Sequence, residues 1–380
     1  MTTTTAEAAL RVRDALTAAG QGLIDREQLV DLIALSAIAQ EHLLVIGPPG
    51  TAKSEAVRRV ARTLGGRYFE YLLGRFTEPS EVFGPIDLRK LKEGVVETQT
   101  AGMLPEADLA FLDEVFLGST AILNTLLGLL NERVFRRGHT AVKVPLRVCI
   151  AASNGIPEEP ALAAFADRFL VRVFVEPIPD AKLEALLDGG AALNRSSLSV
   201  LASFDDLDVL ARAAKDASNS RLRDPLAHAV RLLRRAGVEL SDRRVVKVQR
   251  LCAAAAVLSG RLEPTDADLW PILYAVPTLD GQRLAQDVLK DVLQHAQSST
   301  LLAATEAAAN APAARAARIL ETAQSLFSQA PTSDDLSALE RWRLKLEGVA
   351  REIDASFDPS ALPEALVPVR LKLTELIGAP

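Results

Sequence analysis

The sequence predicts an α/β fold built on a parallel sheet, followed by a long, purely helical remainder. Three observations carry this. Short apolar runs at residues 43–46, 109–112, 146–152 and 170–175 recur between stretches of helical spacing, the pattern of strands buried on both faces. A Gly/Pro-rich loop follows the first run and opens directly into a helix-forming stretch. Beyond Pro177 and Pro179 the strand signals stop.

The bulk composition narrows the class. A chain of 380 residues is long enough for two or three domains. Aromatics make up only 4% of it, so the cores must be built from Ala, Leu and Val, a balance that leans helical. A formal charge of −6 argues against a broad nucleic-acid footprint, although a local basic channel stays open. Cys149 and Cys252 sit in apolar surroundings with no metal-ligand spacing, which fits small core residues in a reducing cytosol. Residues 1–10 are rich in Thr and Ala and lack the basic and apolar regions of a signal peptide, and no apolar run is long enough to span a bilayer. The expectation is a soluble, cytoplasmic protein.

In order, residues 6–20 read as a helix ending near Gly20, and 26–40 as a second helix with Leu29, Leu32, Ile33, Leu35 and Ala39 on one face. The strand at 43–46 then runs into Gly47-Pro48-Pro49-Gly50-Thr51-Ala52-Lys53-Ser54 and a helix over 55–64, stopped by Gly65-Gly66. Strand, glycine loop and helix together predict a phosphate-binding loop. Its backbone N–H groups cradle phosphates at a helix N-terminus, Lys53 reaches the β- and γ-phosphates of ATP, and Ser54 holds Mg²⁺. Ala52 stands where the general pattern has glycine, so either φ stays negative there or the loop carries strain. The helix over 26–40 lies either against the adenine base or simply in the core.

A strand at 68–73 leads to a loop and short helix starting over 75–81, with Ser80 to Val82 and Phe83-Gly84-Pro85 suggesting an interruption, and 86–100 reads as a β-hairpin turning at Glu93-Gly94. The strand at 109–112 ends in Asp113 and Glu114. Asp113 is placed to bind the Mg²⁺ shell and Glu114 to polarise the attacking water. Adjacent strand residues face opposite ways, so the two acids can take different tasks at the sheet edge where open α/β folds bind ligands. Ser119 begins a helix closed by Asn131-Glu132-Arg133, and 134–144 reads as a second, basic hairpin turning at Arg137-Gly138-His139. The strand at 146–152 ends in Ser153-Asn154, where the Asn154 amide could bond the γ-phosphate or the water. After a short helix over 161–165, Arg168 stands just before the last strand, placed to act as an arginine finger on a nucleotide held by an adjacent subunit. The alternative is an ion pair with Asp167.

Helices follow near 181–188, 206–217, 223–236, 242–259 and 265–275. Ser241 is an N-cap, and cations at Arg243 and Arg244 oppose the dipole of the helix it starts, which hints at a nearby anion. Arg243, with Arg244 as the alternative, is therefore a second phosphate-sensing candidate. Residues 286–380 are helical again, with an Ala-rich stretch over 303–317 interrupted by Pro312 and amphipathic helices over 336–355 and 359–377; Trp342 reads as a packing residue.

These motifs converge. Gly47 to Ser54, the Arg75-Phe76 to Pro85 segment, Gly102 to Ala107, Phe111-Leu112-Asp113-Glu114, Ala121 to Leu127, Asn131-Glu132-Arg133, Ala151 to Asn154, Asp167-Arg168 and Leu240 to Arg244 together resemble the MoxR family of AAA+ ATPases, most closely its RavA branch, over about residues 20–260. The resemblance implies a P-loop AAA+ αβα nucleotide-binding domain with a helix-2 insert over 1–180, an all-α lid over 181–285 and a helical C-terminal region over 286–380. It further implies homo-hexameric rings with ATP between subunits, and chaperone-like remodelling of protein clients, often with a von Willebrand factor A domain partner. The short helical C-terminal region departs from the RavA pattern, which carries a β-rich insertion. A nucleic-acid motor and a nucleotide-gated scaffold with little hydrolysis are the alternatives; the acidic balance weighs against the first and the full set of catalytic candidates against the second.

Overall fold

The computed structural model describes residues 4–178, 183–193, 198–309, 312–331, 336–357 and 362–378. Helix α1 (Thr5–Gly20) opens on a capping box between Thr4 and Glu7, and its last carbonyls accept from the buried Arg59. Helix α2 (Glu27–Ala39) is buried on nearly every side, as a helix apolar all round must be. Strand β1 (His42–Ile46) leads to α3 (Lys53–Leu64), then β2 (Tyr68–Leu72) and α4 (Pro79–Phe83), which starts on a proline that needs no N–H partner there.

The predicted hairpin over 86–100 is not a hairpin. Asp87 accepts from the amides of Arg89 and Lys90 and so caps a short helix, α5 (Leu88–Lys92), built from straight-chain helix formers. What remains of the pairing is a narrow antiparallel contact, with Asp87 N donating to Glu97 O at 2.8 Å and Gln99 N to Pro85 O at 2.9 Å.

The chain continues through β3 (Leu109–Asp113), α6 (Thr120–Glu132), the hairpin β4 (Val134–Arg137) and β5 (Thr140–Lys143), then β6 (Val148–Ser153), α7 (Pro160–Ala166) and β7 (Phe169–Phe174). Five strands form one parallel sheet in the order β2-β3-β6-β1-β7. Side chains alternate between two apolar layers. Leu43, Val45, Leu109, Phe111, Val148 and Ile150 face α1, α2 and α3, whereas Leu44, Ile46, Ala110, Leu112, Cys149 and Ala151 face α6.

The β4–β5 hairpin is zipped to the segment that carries α5. His139 N donates to Val96 O at 2.8 Å, Val96 N donates back to His139 Nδ1 at 3.3 Å, and Thr98 N donates to Thr140 Oγ1 at 2.8 Å. Gly138 is required at this contact, since a Cβ there would lie 2.7 Å from Val96 O.

The remainder is helical: α8 (Leu183–Leu193), α9 (Phe204–Asp216), α10 (Arg223–Arg235), α11 (Asp242–Leu258), α12 (Leu279–Val288), α13 (Leu302–Ala309), α14 (Pro312–Ser328), α15 (Leu336–Ser356) and α16 (Val367–Gly378). The helix predicted over 265–275 is instead two 3₁₀ segments, Asp266–Asp268 and Trp270–Ala275; Pro271 lacks the N–H that one continuous helix would need there, and it stands in the first turn of the second segment, where none is required. Parts of three predicted helices, at 181–182, 310–311 and 359–361, lie outside the described residues. Helices α9, α11 and α13 share one apolar cluster with α1, α2 and the sheet, while α14–α16 pack around a separate one centred on Ile319, Leu346, Ile353 and Leu373. Trp342 packs against that second cluster and donates Nε1–H to Leu326 O at 2.8 Å.

Candidate functional site at the sheet edge

All five strands run the same way, so the segments that follow them meet at one edge of the sheet. The Gly47–Ser54 loop leaves β1 there, Asp113 and Glu114 close β3, and Asn154 follows β6. Gly47 must lack a side chain, since a Cβ would lie 2.2 Å from Val175 O just beyond β7. Thr51 Oγ1 donates to Pro48 O at 2.9 Å and draws the loop into a tight curve. Lys53 is buried. Its ammonium donates to Gly47 O at 2.6 Å and Pro48 O at 2.9 Å, inside the curve, and burial pulls its pKa below the ordinary lysine value against the opposing pull of Asp113 and Glu114. Ser54 Oγ lies 3.5 Å from Asp113 Oδ2, and Asn154 Nδ2 donates to Glu114 Oε1 at 2.7 Å.

The chemistry of this donor set fits a nucleoside triphosphate with a divalent cation. The first amides of α3 have no carbonyl partner within the helix and point into the loop, with the positive end of the helix dipole behind them. A hard cation takes oxygen ligands, and a hydroxyl beside a carboxylate supplies two.

The backbone is strained at the same place. Among the described residues, five other than glycine have positive φ: Asp25, Gln40, Ala52, Glu114 and Arg133. Gln40 and Arg133 are the C-caps of α2 and α6, and the Arg133 guanidinium donates to Gln40 O at 2.9 Å. The other three surround the loop. Ala52 at φ 57° settles the alternative left by the sequence in favour of strain, and Glu114 at φ 50° turns its carboxylate back from the end of β3. Left-handed backbone costs a residue with a Cβ about 1–2 kcal/mol. Such residues persist where the surroundings over-determine them, commonly at functional sites.

One residue here escaped the sequence reading. The Arg26 guanidinium is buried just ahead of α2 and holds three carbonyls: Nε donates to Thr51 O at 2.7 Å, Nη1 to Asp25 O at 2.6 Å and Nη2 to Glu176 O at 2.9 Å. It therefore ties the Gly47–Ser54 loop to the segment leaving β7. Burial lowers its pKa from the usual guanidinium value. Every partner is a backbone carbonyl, so no residue type in the sequence marks the contact.

Arg168 and Arg243 lie elsewhere. Arg168 immediately precedes β7, whose Phe169 is in register with His42 at the start of β1, so it stands at the opposite edge of the sheet, roughly 15 Å from the Gly47–Ser54 loop. Its Nε is buried with no hydrogen-bond partner among the described residues. Asp167 is engaged by Arg244 at 2.7 Å rather than by Arg168. Arg243 shares that far edge, donating to Asn131 Oδ1 at 2.9 Å at the end of α6. Arg244, the alternative to Arg243, is buried, with four of its five N–H groups donated to protein partners. A cavity of about 390 Å³ opens near the same edge between Gln40, Lys215 and Arg250, away from Lys53.

Comparison with known proteins agrees with this architecture. A family model for the MoxR domain in MoxR-vWA-beta-propeller ternary systems matches residues 10–212. An uncharacterized protein of Methanocaldococcus jannaschii is 36% identical over 248 residues, which are 65% of this chain and 66% of that protein. The chaperone MoxR1 of Mycobacterium tuberculosis is 27% identical over 169 residues, 43% of this chain and 44% of its own length. The chain thus spans less than two thirds of either relative. A crystal structure of a candidate ATPase from Cytophaga hutchinsonii superposes with a TM-score of 0.62 at 16% identity, covering 77% of this chain and 96% of that one, a likeness of fold. These matches reach a family and not a branch within it. With more than half of its residues matched by the MoxR model on a parallel α/β core, the chain belongs to the MoxR family of AAA+ ATPases.

Proposed function

We propose that this chain hydrolyses ATP to ADP and phosphate and uses the cycle to remodel protein complexes as a chaperone-like ring. The observation that carries the reading is the meeting of Lys53, Ser54, Asp113, Glu114 and Asn154 at one edge of one sheet, with Ser54 3.5 Å from Asp113 and Asn154 2.7 Å from Glu114. In this reading residues Gly47 to Ser54 wrap the phosphates and Lys53 exchanges its two loop carbonyls for phosphate oxygens. Ser54 and Asp113 would hold Mg²⁺. The metal ion, when bound, would supply positive charge that offsets the charge of the triphosphate. Glu114 orients the attacking water and receives its proton, and Asn154 fixes the carboxylate in place.

Arg168 and Arg243 stand too far from the loop of their own chain, so we assign both to the nucleotide of a neighbouring copy. That assignment makes the site complete only in an oligomer, which we take to be a hexamer. Residues 1–180 would form the nucleotide domain, 181–285 the lid and 286–380 a C-terminal region. The family model is named for systems that include a von Willebrand factor A protein, and we propose such a partner here. Two buried free thiols, Cys149 and Cys252, suit a cytoplasmic setting. Among the described residues no helix is long and apolar enough to cross a membrane.

Glu114→Gln is the test. ATP binding is retained and turnover falls by about 10²-fold or more, the contribution of a positioned base. Wild-type turnover in this variant removes Glu114 from the chemistry and with it the hydrolytic reading of the site. ATPase rate per subunit measured against protein concentration, with native mass on the same samples, tests the ring: the rate rises as oligomers form, and a flat rate in a monomer overturns the shared site.

A further inference from the structure

Arg244 is the neighbour of one far-edge arginine and grips the chain around the other. Its side chain is buried, and four of its five N–H groups are spoken for: Nε donates to Asp167 Oδ1 at 2.7 Å, Nη2 to Phe169 O at 3.1 Å, and Nη1 to Leu170 O at 3.0 Å and Ala275 O at 2.7 Å. Asp167 and Phe169 flank Arg168. The backbone of Arg244 is itself fixed, since Ser241 Oγ accepts its amide at 3.4 Å as the N-cap of α11. One guanidinium therefore joins the turn bearing Arg168 to the first turn of the helix bearing Arg243. Meanwhile the Arg168 Nε is buried and unmatched, a donor held out of water with no acceptor among the described residues. Holding such a group against its own solvation needs a rigid support, and a planar fork gripping four acceptors supplies one.

We propose that Arg244 is a positioning residue that locks Arg168 and Arg243 into a single rigid element, so that both are presented together to the nucleotide of the adjacent copy. This rests on the shared-site reading above. The lock also gives the helical part a direct hold on catalysis next door: α11 cannot shift against β7 without carrying Arg168 with it. A displacement of about 1 Å in such a group is enough to lower a rate by about 10²-fold.

The test uses the full chain and four variants. Arg244→Lys keeps the charge but cannot fork across four acceptors. Asp167→Asn, at a half-exposed position, weakens the same lock with little risk to the fold. Arg168→Ala removes the finger, and Glu114→Gln disables a site while leaving the far edge intact. Native mass and melting establish assembly. The expected result is a turnover drop of roughly tenfold or more in Arg244→Lys and a smaller one in Asp167→Asn, with nucleotide affinity within about twofold of wild type, because each variant's own loop is untouched. Mixing is decisive. In mixed rings Glu114→Gln subunits present intact arginines to the sound sites of Arg244→Lys subunits, so the mixture turns over several-fold faster than the two proteins apart. If Arg168→Ala is rescued by this mixing and Arg244→Lys is not, or if Arg244→Lys turns over like wild type, Arg244 does not position the pair. If Arg168→Ala itself is fully active, or is not rescued, the shared-site reading falls and takes this inference with it.

Discussion

Arg26→Met separates bracing of the Gly47–Ser54 loop from bulk stability. The guanidinium donates to one buried carbonyl, Thr51 O, and to two half-buried ones, Asp25 O and Glu176 O. Stranding a buried acceptor costs about 1–3 kcal/mol, while half-buried ones recover water and lose less, and removing a desolvated charge returns part of the total. The net loss in stability comes to about 2–4 kcal/mol. The Thr51 contact alone bears on the loop. If about 1.4 kcal/mol of its worth goes into holding the loop in its binding shape, nucleotide affinity drops about tenfold. Arg26→Lys should fall between, since an ammonium reaches one carbonyl at a time and cannot span three. The assay is titration with a fluorescent ATP analogue well below the unfolding transition, paired with urea unfolding of the same samples. Affinity within twofold of wild type in a variant that has lost the expected stability would refute the bracing argument and leave Arg26 as a fold contact only.

Other expectations follow from the same geometry. Ala52→Gly relieves left-handed strain and, after the entropy of a new glycine, should stabilise the chain by about 1 kcal/mol in urea unfolding with nucleotide binding kept, whereas Ala52→Val should weaken both. Asp31 is buried where it accepts the amide of Ala304, and burial pushes its pKa up to about 8. A raised carboxyl pKa means that the folded state holds the proton more tightly than the unfolded chain. The stability it contributes is full below the ordinary carboxylate range and is lost as pH rises to about 8. Asp31→Asn should therefore gain on wild type between pH 5 and pH 9, as read from unfolding midpoints; parallel pH profiles would count against a protonated Asp31.

Much of this was legible in the residues because the relevant signals are local. Four apolar runs became strands, the loop from Gly47 to Ser54 sits between a strand and a helix, and the acids that end β3 arrive beside it, because parallel strands deliver their C-terminal ends to one edge. Local rules failed where a side chain outvoted the pattern. Asp87 caps a helix inside what alternates like a hairpin, and Pro271 stands where one continuous helix over 265–275 would need an N–H. Choices that depend on burial could not be read at all. Arg243 and Arg244 are adjacent and identical in type, yet one donates to Asn131 at the surface and the other disappears beneath β7. Arg26 offered no pattern because its partners are carbonyls, which every residue carries.

The zipper between the β4–β5 hairpin and the segment around Val96 has a consequence for how this chain varies in evolution. Two stretches 43 residues apart share one backbone bond at His139 and two more in which backbone amides of one stretch donate to the side chains of His139 and Thr140 in the other, with a glycine at the crossing that no other residue can replace without a clash. Lengthening or shortening either stretch alone would strand those bonds. In diverging copies of this gene, insertions and deletions near residue 96 should therefore be inherited together with changes near residue 139, and a chimera that takes the two stretches from different parents should lose the pairing even when each parent folds well.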